Sequence, residues 1–255
     1  MTPWLARTAP APDARLRLFC LPYAGGSAAA YRGWGAALAG VDVRPVLLPG
    51  RERRIAEPAY ERVEPLVDAL ATAIRPSLDL PYAIFGHSMG ALVGFELARA
   101  LRGRGAPPPA LLVASAHRAP GLPASEPPGS HLPDAELIAL LRRLGGPHQA
   151  HLDEPDLAAL LLPAVRADFA LCERYVYRAA PPLACPVLAL RGRGDPTVDI
   201  EQVRPWGRET TAGFEMRELD GDHFFVHTAA RQVTDAIAAS VARLPLPTGI
   251  QEDDT

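Results

Sequence analysis

Apolar positions along this chain come in two alternating kinds. Leu16-Arg17-Leu18-Phe19-Cys20-Leu21 is a run of strand length ended by Pro22; residues 41–48, 82–85, 110–114 and 186–191 are of the same sort, and residues 215–219 read as a more polar sixth strand. Short runs with little polar alternation predict strands buried on both faces. Between them the apolar residues recur at helical spacing: Val63, Leu66, Val67, Leu70 and Ile74 within residues 61–78, then Ala91, Leu92, Phe95, Leu97, Ala98 and Leu101. Further helices are expected at about 28–38 and 229–244. Strand and helix taking turns through both halves predict an α/β protein, with a mostly parallel, doubly wound sheet covered on both faces.

The alternation lapses between residues 114 and 186. A Pro-rich loop, residues 120–133, precedes a helical stretch over 134–144 closed by Gly145-Gly146. A second stretch, about 155–177, must bend or restart near Pro163. Residues 118–180 therefore read as an insertion over the C-terminal edge of the sheet, between core segments 1–117 and 181–245, with residues 246–255 as a flexible tail. The surplus of Leu137, Ile138, Leu140, Leu141, Leu160, Leu161, Leu162, Phe169 and Leu171 suits a helical lid with an apolar underside. The competing reading is a helical layer packed permanently on the core.

Gly86-His87-Ser88-Met89-Gly90 lies where the third strand hands over to a helix. A G-x-S-x-G turn at such a junction holds its serine in a strained conformation with Oγ exposed, and the helix that follows aims unpaired N–H groups at any oxyanion forming there. A helix N-cap serine is the bland alternative. A serine hydroxyl needs a base and an acid to orient that base, and in such folds the chain order is serine, acid, histidine. His223, in the Asp220-Gly221-Asp222-His223 turn after the sixth strand, is the candidate base; His227 follows it. His87 points elsewhere, and His117, His131, His148 and His151 lie in or beside the insertion. Asp195, after the fifth strand, is the candidate acid, with Asp199 as runner-up; the position after the fourth strand offers no carboxylate until Glu126. Asp222 reads as a turn residue. The backbone N–H groups of Met89 and of Ala24, in the small-residue turn Tyr23-Ala24-Gly25-Gly26, are the candidate oxyanion donors.

Composition narrows the chemistry. Every one of the 26 basic residues is arginine, with no lysine or asparagine in the chain, so a pyridoxal phosphate Schiff base and a P-loop lysine are excluded. Cys20, Cys172 and Cys185 are odd in number and lack metal-ligand spacing, so they read as buried thiols, and no metal or cofactor is expected. A net charge of −3 gives no global attraction to nucleic acid or to an anionic membrane. No stretch reaches membrane-span length, and the Pro/Ala-rich first fifteen residues do not read as a secretory signal, which makes a cytoplasmic chain the expectation. A monomer is the default.

With these residues in view, the chain resembles the stand-alone type II thioesterases of polyketide and nonribosomal peptide biosynthesis, from the first strand through the last helix. The resemblance is carried by Phe19-Cys20-Leu21-Pro22-Tyr23-Ala24-Gly25-Gly26, Leu48-Pro49-Gly50-Arg51-Glu52, Phe85-Gly86-His87-Ser88-Met89-Gly90-Ala91, Phe95-Glu96-Leu97-Ala98-Arg99, Leu132-Pro133-Asp134, Arg166-Ala167-Asp168-Phe169 and Gly221-Asp222-His223-Phe224-Phe225. It implies an α/β-hydrolase fold with an inserted helical lid. It also implies Ser88 as nucleophile, Asp195 as acid, His223 as base and Ala24 and Met89 as hole donors. Asp222 departs from the second glycine that many relatives carry.

The implied activity is hydrolysis of aberrant or stalled acyl groups from the phosphopantetheine arm of acyl or peptidyl carrier proteins, acting in trans. Product or intermediate release, a general short-chain esterase and a non-catalytic carrier-binding protein are the alternatives. Arg51, Arg53 and Arg54 form a basic cluster that suits docking of an acidic carrier or, equally, a solvated loop.

Overall fold

The structure is a computed structural model that describes residues 2–124, 128–146 and 152–246. Six strands, β1 (Leu16–Leu21), β2 (Val41–Pro45), β3 (Tyr82–His87), β4 (Leu111–Ser115), β5 (Val187–Gly192) and β6 (Phe214–Leu219), form one sheet in the order β2-β1-β3-β4-β5-β6. Every neighbouring pair is parallel. The period-2 geometry of a strand divides each one between two cores. Leu16, Leu18 and Cys20 pack on one side with Tyr31, Trp34, Val233 and Ile237, whereas Phe19 and Leu21 pack on the other with Leu66, Leu70, Phe95 and Trp206. Burial on both faces explains the apolar runs of β1, β3, β4 and β5, whereas β6, at the sheet edge, buries only Leu219 and is correspondingly polar.

The helices are α1 (Trp34–Ala37), α2 (Val63–Ile74), α3 (Met89–Gly103), α4 (Asp134–Leu144), α5 (Pro155–Glu173), α6 (Ile200–Val203), α7 (Phe225–Thr228) and α8 (Ala230–Val241). The stripe expected on α2 is the one it buries. Most strand ends fall within two residues of the sequence reading; larger differences lie at the end of β2 and in the helices. The helix expected over 28–38 is a 3-10 turn, Ala28–Tyr31, and the short α1, separated at Gly33, whose φ is +84°. Strand β2 stops at Pro45, and Val46 bridges antiparallel to Leu5. Helix α2 gives way at Arg75, itself at αR angles (φ −49°, ψ −43°), to a 3-10 turn, because Pro76 has no N–H with which to continue the helical ladder. The last helix, expected over about 229–244, spans Ala230–Val241, and a short helical turn that the sequence did not mark, α7, precedes it across Ala229 at φ −121°.

Helix α5 neither restarts at Pro163 nor reaches residue 177; it runs on to Glu173. Pro163 and Ala159 both face solvent, where water can take the carbonyl that the missing proline N–H leaves free. Among the described residues no helix is long and apolar enough to cross a membrane. The expected tail lies almost entirely outside the described residues.

In a wholly parallel sheet all strand ends that follow the chain share one edge. The turns after β1, β3, β4, β5 and β6 therefore meet there. The chain leaves β1 toward β2 on one side and β3 toward β4 on the other, so the β1/β3 crevice is a topological switch point, where such sheets take their ligands.

Candidate active site

Ser88 follows β3 at that crevice with φ 53° and ψ −120°, a conformation that side chains rarely adopt. The two flanking glycines make the turn possible. A Cβ on Gly86 would lie 1.9 Å from the Gly90 carbonyl oxygen, and one on Gly90 would lie 2.3 Å from that of Leu21. The Ser88 N–H donates to the Ser115 carbonyl at 2.7 Å, which ties the turn to the end of β4. Strain of this kind survives only where surrounding structure over-determines it.

The side chains assembled around Ser88 form one hydrogen-bonded line. His223 Nε2 is 3.0 Å from Ser88 Oγ, and His223 Nδ1 is 2.9 Å from Asp195 Oδ2. The Asp195 side chain is fully buried and that of His223 is 11% exposed. A carboxylate only accepts, so Nδ1–H donates to Asp195 and leaves Nε2 free to accept the serine proton. Burial pushes the Asp195 carboxyl up, but its hydrogen bond and attraction to His223, with those from Thr197, outweigh it and hold the group below the usual carboxylate range.

Thr197 was not foreseen in the sequence. Its N–H and its Oγ1 each donate to Asp195 Oδ1 at 2.8 Å. Its one hydroxyl proton is thereby used, so toward His223 Nδ1, 2.9 Å away, Oγ1 can only accept. His87 was foreseen as pointing away from the serine, and it does, but it has a task. Its Nε2 donates to the His223 carbonyl at 2.7 Å and its Nδ1 accepts from Ser115 Oγ at 2.9 Å. Burial, then the neighbouring His223, lowers its pKa to about 3, so it is a neutral cross-brace at pH 7.

The remaining candidates are occupied elsewhere. Asp199 caps α6 in a reciprocal box with Gln202, and Asp222 Oδ1 accepts from the Phe224 N–H as a turn residue does. His227 Nε2 is 2.8 Å from the Tyr23 hydroxyl. His131 is exposed; His148, His151 and Glu126 lie outside the described residues. His117, expected to be badly held, is instead buried: its Nδ1 donates to the Arg118 carbonyl at 2.6 Å, and burial lowers its pKa to about 3.

Ala24 and Met89 line the same cavity as Ser88 and His223. Neither backbone N–H has an acceptor among the described residues. The cavity holds about 150 Å3 and extends from Thr197, His117 and Glu173 to Leu141, Leu144 and Phe224 on the insertion side. Among the described residues no group of three His, Cys, Asp or Glu side chains could hold a metal ion. Cys20 and Cys185 are buried thiols, and Cys172 is half-buried in the cavity wall.

The arginine cluster is neither a docking patch nor a solvated loop. Arg51 and Arg54 are buried. Arg51 forms a two-pronged ion pair with Asp168, and Arg54 pairs with Glu57 while stacking on Trp4 at 4.1 Å from the ring centroid. Exposed Arg53 donates to the Leu5 carbonyl at 2.5 Å. Local sequence showed three like charges; the partners of Arg51 and Arg53 lie far off in the chain, while that of Arg54 is three residues away.

The chain is similar to known proteins in sequence and in fold. A thioesterase domain family model matches residues 16–241. "Linear gramicidin dehydrogenase LgrE" of Brevibacillus parabrevis is 41% identical over 242 residues, covering 93% of this chain and 92% of the relative. The structure of RedJ, a thioesterase from the prodiginine biosynthetic pathway in Streptomyces coelicolor, superposes with a TM-score of 0.85 at 40% identity, covering 91% of this chain and 95% of that one. That of BorB, a type II thioesterase from the borrelidin biosynthetic cluster, superposes with a TM-score of 0.86 at 38% identity, covering 93% and 97%.

Proposed function

The chain belongs to the thioesterase domain family and is a serine-hydrolase thioesterase, and from that premise we propose that it hydrolyses acyl groups from the phosphopantetheine arm of carrier proteins through an acyl-Ser88 intermediate. The observation that carries this reading is the unbroken line from Ser88 Oγ through His223 to buried Asp195 at one wall of a cavity.

In the first half-reaction His223 Nε2 takes the Ser88 proton as Oγ attacks the thioester carbonyl. The charge that develops on the carbonyl oxygen is met by the Ala24 and Met89 N–H groups, each typically worth about 3 kcal/mol in the transition state. The C–S bond breaks and the thiol leaves with its proton. A thiol ionises near pH 8.5, so its departure as thiolate needs less help from His223 than an amine would. In the second half-reaction His223 takes a proton from water as its oxygen adds to the acyl carbon; the C–Oγ bond then breaks, His223 returns the proton to Ser88 Oγ, and the free acid leaves. Asp195 holds the ring in the tautomer both steps need.

The pathway names attached to RedJ, BorB and LgrE support carrier-bound acyl groups as substrates. The apolar flank at Leu141, Leu144 and Phe224 suits an acyl chain. The test is acid release from a panel of acyl-loaded carrier proteins, matched acyl-coenzyme A and p-nitrophenyl esters. Ser88→Ala should slow release by about 10⁴-fold or more, and carriers should be preferred over oxyesters. Wild-type release by Ser88→Ala would remove the assignment, preference for free oxyesters would make the chain a general esterase, and nicotinamide consumption would favour the redox activity in the name of LgrE.

A further inference from the structure

Asp168 sits on α5, opposite the turn that carries Ala24. Its Oδ2 accepts the Gly25 N–H at 2.7 Å and Arg51 Nη1 at 2.7 Å, and its Oδ1 accepts Arg51 Nη2 at 2.7 Å. Arg51 Nη1 also donates to the Gly26 carbonyl at 3.1 Å. Both side chains are withdrawn from solvent, at 7% and 3% exposure. Helix and turn are in van der Waals contact as well: Gly25 has φ +72°, and a Cβ there would stand 2.8 Å from Val165 Cγ2. On the other side of Ala24, the Tyr23 hydroxyl meets His227 Nε2 at 2.8 Å and its ring packs edge-on against His87 and Phe224. Ala24 is thus the residue between two anchors.

A buried ion pair is weak evidence for stability, since desolvation of both charges offsets most of their attraction. What it does impose is geometry: two parallel N–H···O bonds fix the carboxylate, and the carboxylate fixes the amide next to Ala24. An oxyanion donor is effective only within a few tenths of an ångström of its place. We propose that Asp168, held by Arg51, is a positioning residue for hydrolysis, setting the Ala24 N–H against the developing oxyanion and making helix α5 part of the catalytic frame. The proposal rests on the reading of Ala24 and Met89 as the donors.

The test measures kcat, KM and melting temperature for hydrolysis of butyryl-N-acetylcysteamine thioester by the full chain. Asp168→Asn should lower kcat about 10- to 100-fold, as displacement of one donor would, with KM within about twofold. The double variant Arg51→Met/Asp168→Leu, which removes both charges, should recover most of the melting temperature lost in Asp168→Asn yet keep the low kcat, because leucine offers the Gly25 N–H no acceptor.

Three outcomes would overturn the proposal: kcat of Asp168→Asn within twofold of wild type, a rise in KM alone, or kcat returning with the melting temperature in the double variant. If Asp168→Asn does not fold, the double variant decides alone. Ser88→Ala measured alongside separates the levels. If it is inactive, a wild-type-like Asp168 variant sinks only this inference; if it is fully active, both readings fall.

Discussion

The two helices of the 118–180 region lie side by side, yet they are held by different physics. Helix α5 buries Ala158, Leu162, Ala164, Val165, Ala167, Asp168, Ala170 and Leu171, and its polar groups reach across to the rest of the protein. Asp168 grips Arg51 and Gly25, and Arg174, just past its end, pairs with Glu61 ahead of α2. Helix α4 buries Leu137 and no other residue. Leu137 packs with Leu162 and Val165 of α5, and the ion pairs of α4, Asp134 with Arg166 and Arg142 with Asp153, stay within the region. One helix is built into the core and the other is laid upon it. If the cavity opens to admit an acyl chain, α4 is the element that can lift at low cost, and a lid spanning all of 118–180 would have to break the buried Arg51–Asp168 pair.

The sharpest way to break this comparison is to remove the bolt of α5. Arg51→Ala leaves the Asp168 carboxylate buried with the Gly25 N–H alone, a loss of about 3–5 kcal/mol. Because α5 is argued to be part of the core, the whole protein should pay: a melting temperature lower by about 10 °C, in a single transition. A two-step melt in which α5 amides lose protection while the sheet stays protected would show that α5 is detachable, and the distinction between the helices would collapse.

Acidification should act next most strongly, and on the core side. His87 and His117 are neutral in the fold, with pKa values lowered to about 3, first by burial and then by His223 and Arg118 respectively. In the unfolded chain both protonate near pH 6.5. The unfolded state therefore binds more protons between about pH 6.5 and 3, so the contribution of both residues is complete above that window and is lost as pH falls through it. His227, lowered by burial, acts in the same direction. Going from pH 7 to pH 5 should cost about 2 kcal/mol for each of the first two, measured by urea unfolding. His87→Gln should remove about half of that slope; an unchanged slope would place the titrating groups elsewhere.

The sequence disclosed the core half of this comparison far better than the insertion half. Ser88 and Asp195 could be read because each follows a strand that an apolar run marks, and His223 because it sits in a tight turn after the more polar sixth strand; a parallel sheet carries all such ends to one edge. Asp168 and Arg51 could not be read as a pair: 117 residues separate them, and nothing local to Arg51 distinguishes its buried fork from the exposed Arg53 two positions on. The same limit hid His87, whose partners are a backbone carbonyl 136 residues away and Ser115. Pro163 misled in the opposite direction. A rule about helix interiors suggested a break, but the proline faces water and the helix continues. The apolar surplus of the insertion was legible as composition; which helix owned it depended on packing.

Leu137→Ala tests the attachment of α4 directly. The side chain is fully buried, so its truncation removes about 2–4 kcal/mol from the contact with Leu162 and Val165. If α4 can open by itself, little of that loss appears in the global transition. The melting temperature should fall by no more than about 3 °C, while limited proteolysis and hydrogen exchange at 134–144 accelerate. Equal loss of protection in α4 and in β3 would mean that the two move as one body.

The smallest effect is expected at Arg142, whose chemistry matches that of Arg51. Arg142 and Asp153 approach to 2.6 Å, as close as Arg51 and Asp168, but their side chains are 49% and 66% exposed against 7% and 3%. Water screens the exposed pair and already solvates each partner, so Arg142→Ala should cost less than about 0.5 kcal/mol. Exchange at 134–144 should then change by less than about threefold, the kinetic equivalent of that energy. A tenfold acceleration there would mean that surface charge, not Leu137, holds α4 down. In that case raising the salt concentration should open α4 as well, because screening weakens an exposed ion pair and leaves an apolar contact in place.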